Sequence, residues 1–418
     1  MNRKDIEIMA PAGSYESLMA AIQGGADSVY FGAGEMNMRS ASSINFTTAD
    51  LNKIAGICRD NGVKSYLTLN VVVFDDEVEQ MKRIVDSALA GGISAIIASD
   101  LSVIRYAFNA GMEIHLSTQL NISNIEALRF YSQWADVAVL ARELNLDQVS
   151  RISRMITEQD IRGPHGGLVR IEMFVHGALC MATSGKCYLS LHETGMSANR
   201  GKCRQTCRKA YIVTERETGY ELAIDNEYIM SPKDLCTIGF ADRLIDAGVS
   251  VFKIEGRARS PEYVKTVTLC YDEAVKAVAD GSYNEKAIAG WRERLASVFN
   301  RGFWDGYYLG QRMGEWNTRY GSSATRRKEY LGKVTNYFAK IGVAEIKLEN
   351  GNLEQGEPLL ITGPTTGVIE FAAGEIRVDL KETGKALKGE YCSLATPENV
   401  RRADKVYKWV NASEHHRQ

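Results

Sequence analysis

Along the first 260 residues, short apolar runs alternate with longer stretches in which apolar residues recur every three or four positions. The short runs start at Ile6 (IEIMAPAG), Asp27 (DSVYFGA), Lys64 (KSYLTLNVVV), Ala95 (AIIASD), Glu113 (EIHLSTQLN), Val137 (VAVLARELN), Val169 (VRIEMFVHG) and Val251 (VFKIEGR). Their β-branched and aromatic content predicts strands. The stretches between them, such as SYESLMAAIQGG, EVEQMKRIVDSALAGG and LDQVSRISRMI, predict amphipathic helices. Gly24-Gly25, Gly91-Gly92, Ala110-Gly111 and Ala247-Gly248 stand where a C-cap would lead into the next strand. Eight strands in regular β-α alternation predict a (β/α)8 TIM-like barrel rather than an open doubly wound sheet. No G-x-G-x-x-G dinucleotide fingerprint follows the first strand.

The rhythm breaks twice. After the seventh strand comes a polar insert, about residues 178–236, that carries most of the cysteines. It follows the C-terminal end of a barrel strand, which is where barrel enzymes keep their chemistry. A helical connector, roughly Pro261 to Arg301, then leads to the near-alternating runs LGKVTNYF, IGVAEIKL, EPLLITG, GVIEFAA, EIRVDL and EYCSLA. These predict a small all-β barrel. The expected division is a barrel domain over 1–320 and a β domain over 328–410, with a disordered tail, NASEHHRQ.

A chain of 418 residues is long enough for one barrel-sized domain and a smaller one. Its net charge of −2 argues against coating nucleic acid or an anionic membrane by bulk electrostatics. Any RNA contact would come from a local patch, for which Arg200 to Lys209 and Thr325 to Lys328 are the candidates. No stretch has the length of a signal peptide or a membrane span, so a cytoplasmic protein without a membrane partner is expected. In a reducing compartment, clustered cysteines point to metal or redox chemistry rather than disulfides. Of the eight, Cys58, Cys270 and Cys392 are isolated and expected to be buried apolar residues. Cys180, Cys187, Cys203, Cys207 and Cys236 are separated by six, fifteen, three and twenty-eight residues. Only Cys203/Cys207 approaches the paired spacing of a zinc site, whereas an iron-sulfur cluster accepts thiolates scattered along loops. Lys186, Lys202, Arg204 and Arg208 lie nearby to offset its negative charge.

The stretch EMFVHGALCMATSGKCYLS, from Glu172, resembles the diagnostic motif of the U32 collagenase-like peptidase family. The resemblance continues through SANRGKCRQTCR, SPKDLC and KIEGRARSPEYV, and upstream through APAG and ARELNLDQV. It covers essentially the whole predicted barrel. The resemblance implies a 4Fe-4S cluster held by Cys180, Cys187 and Cys203, with the fourth ligand open between Cys207 and Cys236. It also implies a role in 5-hydroxylation of RNA, independent of O2 and with prephenate as co-substrate. HETGMSANRGKCRQTCR is closer to the branch acting on an rRNA cytidine, the added β domain to the branch acting on a tRNA wobble uridine. Relatives in ubiquinone synthesis work as heterodimers, so an iron-sulfur subunit with a protein partner is a further alternative.

Residues at the C-terminal ends of barrel strands are the other site candidates. We single out Glu172, His176, Lys253 and Glu255 for catalysis, and Arg39, Gln119, Arg142, Glu143 and Arg257 for substrate binding. Arg39, Lys253 and Arg257 are natural partners for a dicarboxylate, although Lys253, Glu255 and Arg257 alternate along one strand as an interior salt-bridge layer would. His176 is a candidate proton carrier, an orienter of the cluster loop or a core histidine. A peptidase finds little support. There is no G-x-S-x-G elbow, and His192-Glu193 lacks the second histidine of a zinc helix. A His176/Cys180 dyad would leave the remaining cysteines unexplained.

Overall fold

The computed structural model describes residues 1–41, 46–211, 213–214, 221–222, 230–311, 314–318 and 321–412. Seven parallel strands, β1 (Glu7–Pro11), β2 (Ser28–Gly32), β3 (Lys64–Leu69), β4 (Ala95–Ala98), β5 (Glu113–Leu116), β6 (Val137–Val139) and β7 (Arg170–Ala178), pair in sequence order. Two short strands, β8 (Val213–Thr214) and β9 (Glu221–Leu222), pair with each other, and β10 (Asp234–Cys236) follows. An eighth parallel strand, β11 (Val249–Ile254), pairs with both β7 and β1 and closes the barrel.

Helices α1 (Tyr15–Gln23), α2 (Leu51–Asp60), α3 (Val78–Ala90), α4 (Leu101–Asn109), α5 (Ile125–Ser132) and α6 (Leu146–Glu158) pack around it. The glycines expected at helix ends, Gly25, Gly92, Gly111 and Gly248, all take left-handed φ between 76° and 90°. The cysteine insert holds α7 (Leu189–Thr194), and α8 (Ala241–Asp246) precedes the closing strand. The expected single connector is two helices, α9 (Pro261–Asp280) and α10 (Glu285–Ala296), because Gly281 ends the first at φ +80°.

Two apolar layers hold the barrel. The larger lies between strands and helices. The smaller fills the lumen with Met9, Tyr30, Tyr66, Ala95, Ile97, Val137 and Val251. At the C-terminal end of β7, β10 adds on antiparallel with Cys236 opposite His176, and β12 (Phe303–Trp304) pairs alongside it.

The region from Arg326 is antiparallel and all-β. It comprises β13 (Arg326–Phe338), β14 (Val343–Leu348), β15 (Leu353–Glu354), β16 (Pro358–Gly363), β17 (Gly367–Ala372), β18 (Ile376–Val378), β19 (Lys381–Thr383), β20 (Lys385–Ala386), β21 (Tyr391–Ala395) and β22 (Lys405–Asn411). The last strand is absent from the sequence reading, and it takes in the Asn411 assigned there to the tail. Residues 413–418 of that tail lie outside the described residues. This region has its own core and docks on α1 and α9. Gln23 brackets Thr366 and Val368 with two bonds of 2.9 Å, and Lys328 Nζ sits 2.8 Å from Glu262. No helix among the described residues is long and apolar enough to cross a membrane.

Candidate active site

The C-terminal mouth of the barrel opens into a cavity of about 170 Å³. Cys180, Cys187, Cys203 and Cys207 all line it. They reach it on two stretches of the insert, Cys180 and Cys187 on one and Cys203 and Cys207 on the other, fastened to different parts of the rim. The loop carrying Cys180 and Cys187 is tied to the end of β5: Asn121 Nδ2 donates to the Ser184 carbonyl at 3.0 Å, and Thr118 Oγ1 meets Ser184 Oγ at 3.4 Å. The turn before Cys203 leans on the loops after β2 and β3. There the Ala41 amide bonds the Gly201 carbonyl and the Val72 amide bonds the Asn199 carbonyl, both at 3.2 Å. Gly201 has φ +78°, and a Cβ there would lie 2.3 Å from the Asn37 carbonyl oxygen, so only glycine fits.

Arg208 fastens the last cysteine. Its guanidinium donates to the carbonyls of Leu179 (2.7 Å) and Pro232 (2.5 Å) and to Ser231 Oγ (3.0 Å), joining the cysteine loop to the segment that enters β10. Burial pushes the Cys207 thiol up to about 11. Cys236 is not at the cavity. It is buried behind the wall on β10, opposite His176, and burial likewise raises its thiol to about 11.

Cationic groups dominate the rest of the lining: Arg39, Arg142, Arg208, Lys253 and Arg257, against the single carboxylate of Glu255. Arg39 Nη2 pairs with Glu255 Oε1 at 2.6 Å. Burial alone would raise the Glu255 carboxyl, but Arg39, Arg142 and Arg257 outweigh it and bring it down to about 2. Arg257 Nη1 donates to Thr68 Oγ1 (2.6 Å) and Asn37 Oδ1 (3.0 Å). The Arg142 guanidinium stacks 3.9 Å from the centre of the Phe174 ring, and its buried Nε has no hydrogen-bond partner. Gln119 also lines the cavity, beside Ser117 and Asn70.

Besides Cys236, three of the candidates lie elsewhere. Glu143 is exposed and does not line the cavity. Glu172 is completely buried beneath the floor, with Lys253 above it at 2.5 Å. His176 faces away. A bulge between β7 and β11 shifts the register after Phe174, and the imidazole packs among Tyr263, Tyr271 and Phe303. Burial, reinforced by Arg259, holds it neutral, with its pKa down to about 3. It is a core histidine. The basic run at Thr325 to Lys328 is largely committed to internal ion pairs, with Glu370, Glu329 and Glu262. Within the other run, Arg200 pairs with Glu77 at 2.6 Å and stacks 4.0 Å over Phe74.

Sequence reasoning named Arg208 only as a cation near the cysteines, and it missed the Phe174–Arg142 stack and His115, which lies in the barrel lumen against Glu172. A charged residue and a histidine two apart in the strand EIHL were the available signal for His115.

A closed (β/α)8 barrel whose mouth gathers four thiols and a surplus of cations is a barrel with an enzyme-like site. The chain belongs to peptidase family U32, whose model matches residues 13–318. Over 414 residues it is 61% identical to a collagenase of Porphyromonas gingivalis, covering 99% of this chain and 100% of that one. It is 30% identical to a tRNA hydroxylation protein of Bacillus subtilis, over 86% of this chain and 84% of the relative. It is 34% identical to a 23S rRNA 5-hydroxycytidine synthase of Escherichia coli, over 74% of this chain and 46% of the relative. The family thus includes both peptidase-named proteins and RNA hydroxylation proteins.

Proposed function

We propose that this protein is an iron-sulfur RNA hydroxylation factor that installs a 5-hydroxyl on a pyrimidine of tRNA or rRNA without O2. The observation that carries the reading is the convergence of Cys180, Cys187, Cys203 and Cys207 on one cavity from separately anchored loops. The donor set suits a 4Fe-4S cluster: four sulfurs, with no histidine in the lining. A zinc ion would need its ligands within about 2.3 Å of one point. Among the described residues no group of three or more Cys, His, Asp or Glu side chains is placed to hold a single metal ion. A cluster binds each thiolate at a different iron and spreads them wider. Cys207 is the fourth ligand in this reading, because Cys236 lies behind the wall.

When bound, the cluster supplies one-electron chemistry. The chain's own residues offset its negative charge and receive the anionic co-substrate. Arg39, Arg142 and Arg257 surround Glu255 and present guanidinium edges to which a dicarboxylate such as prephenate can pair. Thr68, Asn70, Ser117 and Gln119 add neutral donors and acceptors to the lining.

The peptidase reading rests on the names of the family and of relatives such as the one that is 61% identical. It lacks a dyad here, since His176 faces away from the cavity and is held neutral. Two experiments separate the readings. Nucleosides from a deletion strain, analysed by mass spectrometry, should lack one 5-hydroxypyrimidine. Intact 5-hydroxypyrimidines, together with cleavage of a defined peptide by the pure protein, would establish the peptidase instead.

A further inference from the structure

The lumen below the cavity is not filled by its apolar layer alone. A line of ionisable groups runs through it. Lys253 lines the cavity and donates to Glu172 Oε1 at 2.5 Å. Glu172 Oε2 lies 3.3 Å from His115 Nδ1, and both side chains are wholly buried. His115 Nε2 stands 3.4 Å from Glu113 Oε1, in ion-pair range though not aligned as a hydrogen bond. Glu113 is the first residue of β5, at the end of the barrel away from the cavity, and its side chain is 32% exposed. The remaining groups facing His115 are Glu7 from β1, which Tyr66 from β3 and Arg170 from β7 bond at 2.7 and 2.9 Å, and the Tyr66 ring, 4.4 Å away. Burial alone would hold His115 neutral, but Glu113, Glu172 and Glu7 overcome it and raise its pKa.

Buried charges cost several kcal/mol each to desolvate, and apolar side chains would fill a barrel lumen without that cost. A purely structural layer also has no need to continue to the surface. We propose that Lys253, Glu172, His115 and Glu113 form a proton path connecting the active-site cavity with solvent at the opposite end of the barrel.

In the inward direction, the Lys253 ammonium yields a proton to the reacting group and regains one from Glu172 Oε1. Glu172 first takes that proton on Oε2 from His115 Nδ1 and presents it from Oε1 once the carboxyl turns. His115 keeps its Nε2 proton, and its ring turns over to take a new proton on the vacated nitrogen from the Glu113 side. One proton enters from solvent, one leaves into the cavity, every carrier returns to its starting state, and no electron moves. The placement lets proton balance be met without opening the mouth, where thiols and substrate sit. The path rests on the proposed function only for the identity of the reaction it serves.

Two measurements test it. The first needs no substrate: in protein labelled with 15N-histidine, His115 should carry protons on both ring nitrogens at pH 7, and Glu113→Gln should lower the pH at which it loses one. A His115 neutral across pH 6 to 8 would overturn the path, whatever the substrate. The second is turnover, with His115→Gln expected to lose tenfold or more in kcat at unchanged KM, and Glu113→Gln a smaller loss that grows with pH. Wild-type kcat and pH profile in both variants would also overturn it. Absence of hydroxylation in the wild type would count against the functional reading, leaving the labelling result to judge the path.

Discussion

Replacing Lys253 with Met removes one half of the buried pair and leaves the other in place. Lys253 Nζ is 2.5 Å from Glu172, and the two side chains are 5% and 0% exposed. Removing one partner of such a pair costs about 3–5 kcal/mol, because the survivor is a buried charge without compensation. His115, 3.3 Å from the other carboxylate oxygen, gives partial compensation, so the lower end of that range, about 3 kcal/mol, is expected. With an m-value of about 3 kcal/mol/M, the urea midpoint of the barrel's transition should fall by about 1 M. Converting both partners, Lys253→Met with Glu172→Met, removes the orphaned charge and should return the midpoint to within about 0.3 M of wild type, since apolar replacement of a whole buried pair is close to neutral. Urea unfolding followed by far-UV circular dichroism measures both. A single variant as stable as wild type, or a double variant as unstable as the single one, would refute the account of the lumen as a coupled ionic layer.

Arg208→Met should cost about 3 kcal/mol through three lost charge-assisted bonds, and limited proteolysis should cut the cysteine loop faster than in wild type. The carboxyls of Glu7 and Glu255 are held near 2 against an ordinary 4.5, by His115 and Arg170 for the first and by three arginines for the second, in each case against the opposing effect of burial. Both are depressed in the fold, so their stabilisation, on the order of 3 kcal/mol each, is complete above about pH 5 and lost as pH falls toward 2. Urea midpoints at pH 6 and pH 3 measure it, and equal midpoints would contradict it. His176→Phe should leave metal content and turnover within about twofold of wild type, because the imidazole packs among aromatic rings away from the cavity. A loss of activity without a loss of stability would return His176 to the chemistry.

The barrel was legible because its strands and helices carry different hydrophobic periods, and each expected strand is present in sequence order. The thiol set was legible in part. Spacing identifies cysteines that are candidates to act together, but which of Cys207 and Cys236 shares the cavity depends on the antiparallel return of β10. That pairing places Cys236 against His176 on the far side of the wall. His176 was ambiguous for a similar reason. The bulge before it turns the side chain away from the lumen, and bulges leave little trace in sequence. Lys253, Glu255 and Arg257 were read either as site residues or as an interior layer, and they are both: all three line the cavity, while Lys253 also heads the ionic layer below it. The final strand escaped notice because its alternation, KVYKWVN, begins in a run rich in charge.

Under the proposed function, four loop cysteines hold inorganic iron and sulfide. Anaerobic purification or reconstitution of the wild type, with iron and acid-labile sulfide assayed alongside the 400 nm absorption band, tests it most directly when repeated on Cys207→Ser and Cys236→Ser. About four irons and four sulfides per chain are expected in wild type and Cys236→Ser, with loss of most of both in Cys207→Ser. Stoichiometric zinc without sulfide, or a cluster retained by Cys207→Ser and lost from Cys236→Ser, would contradict it.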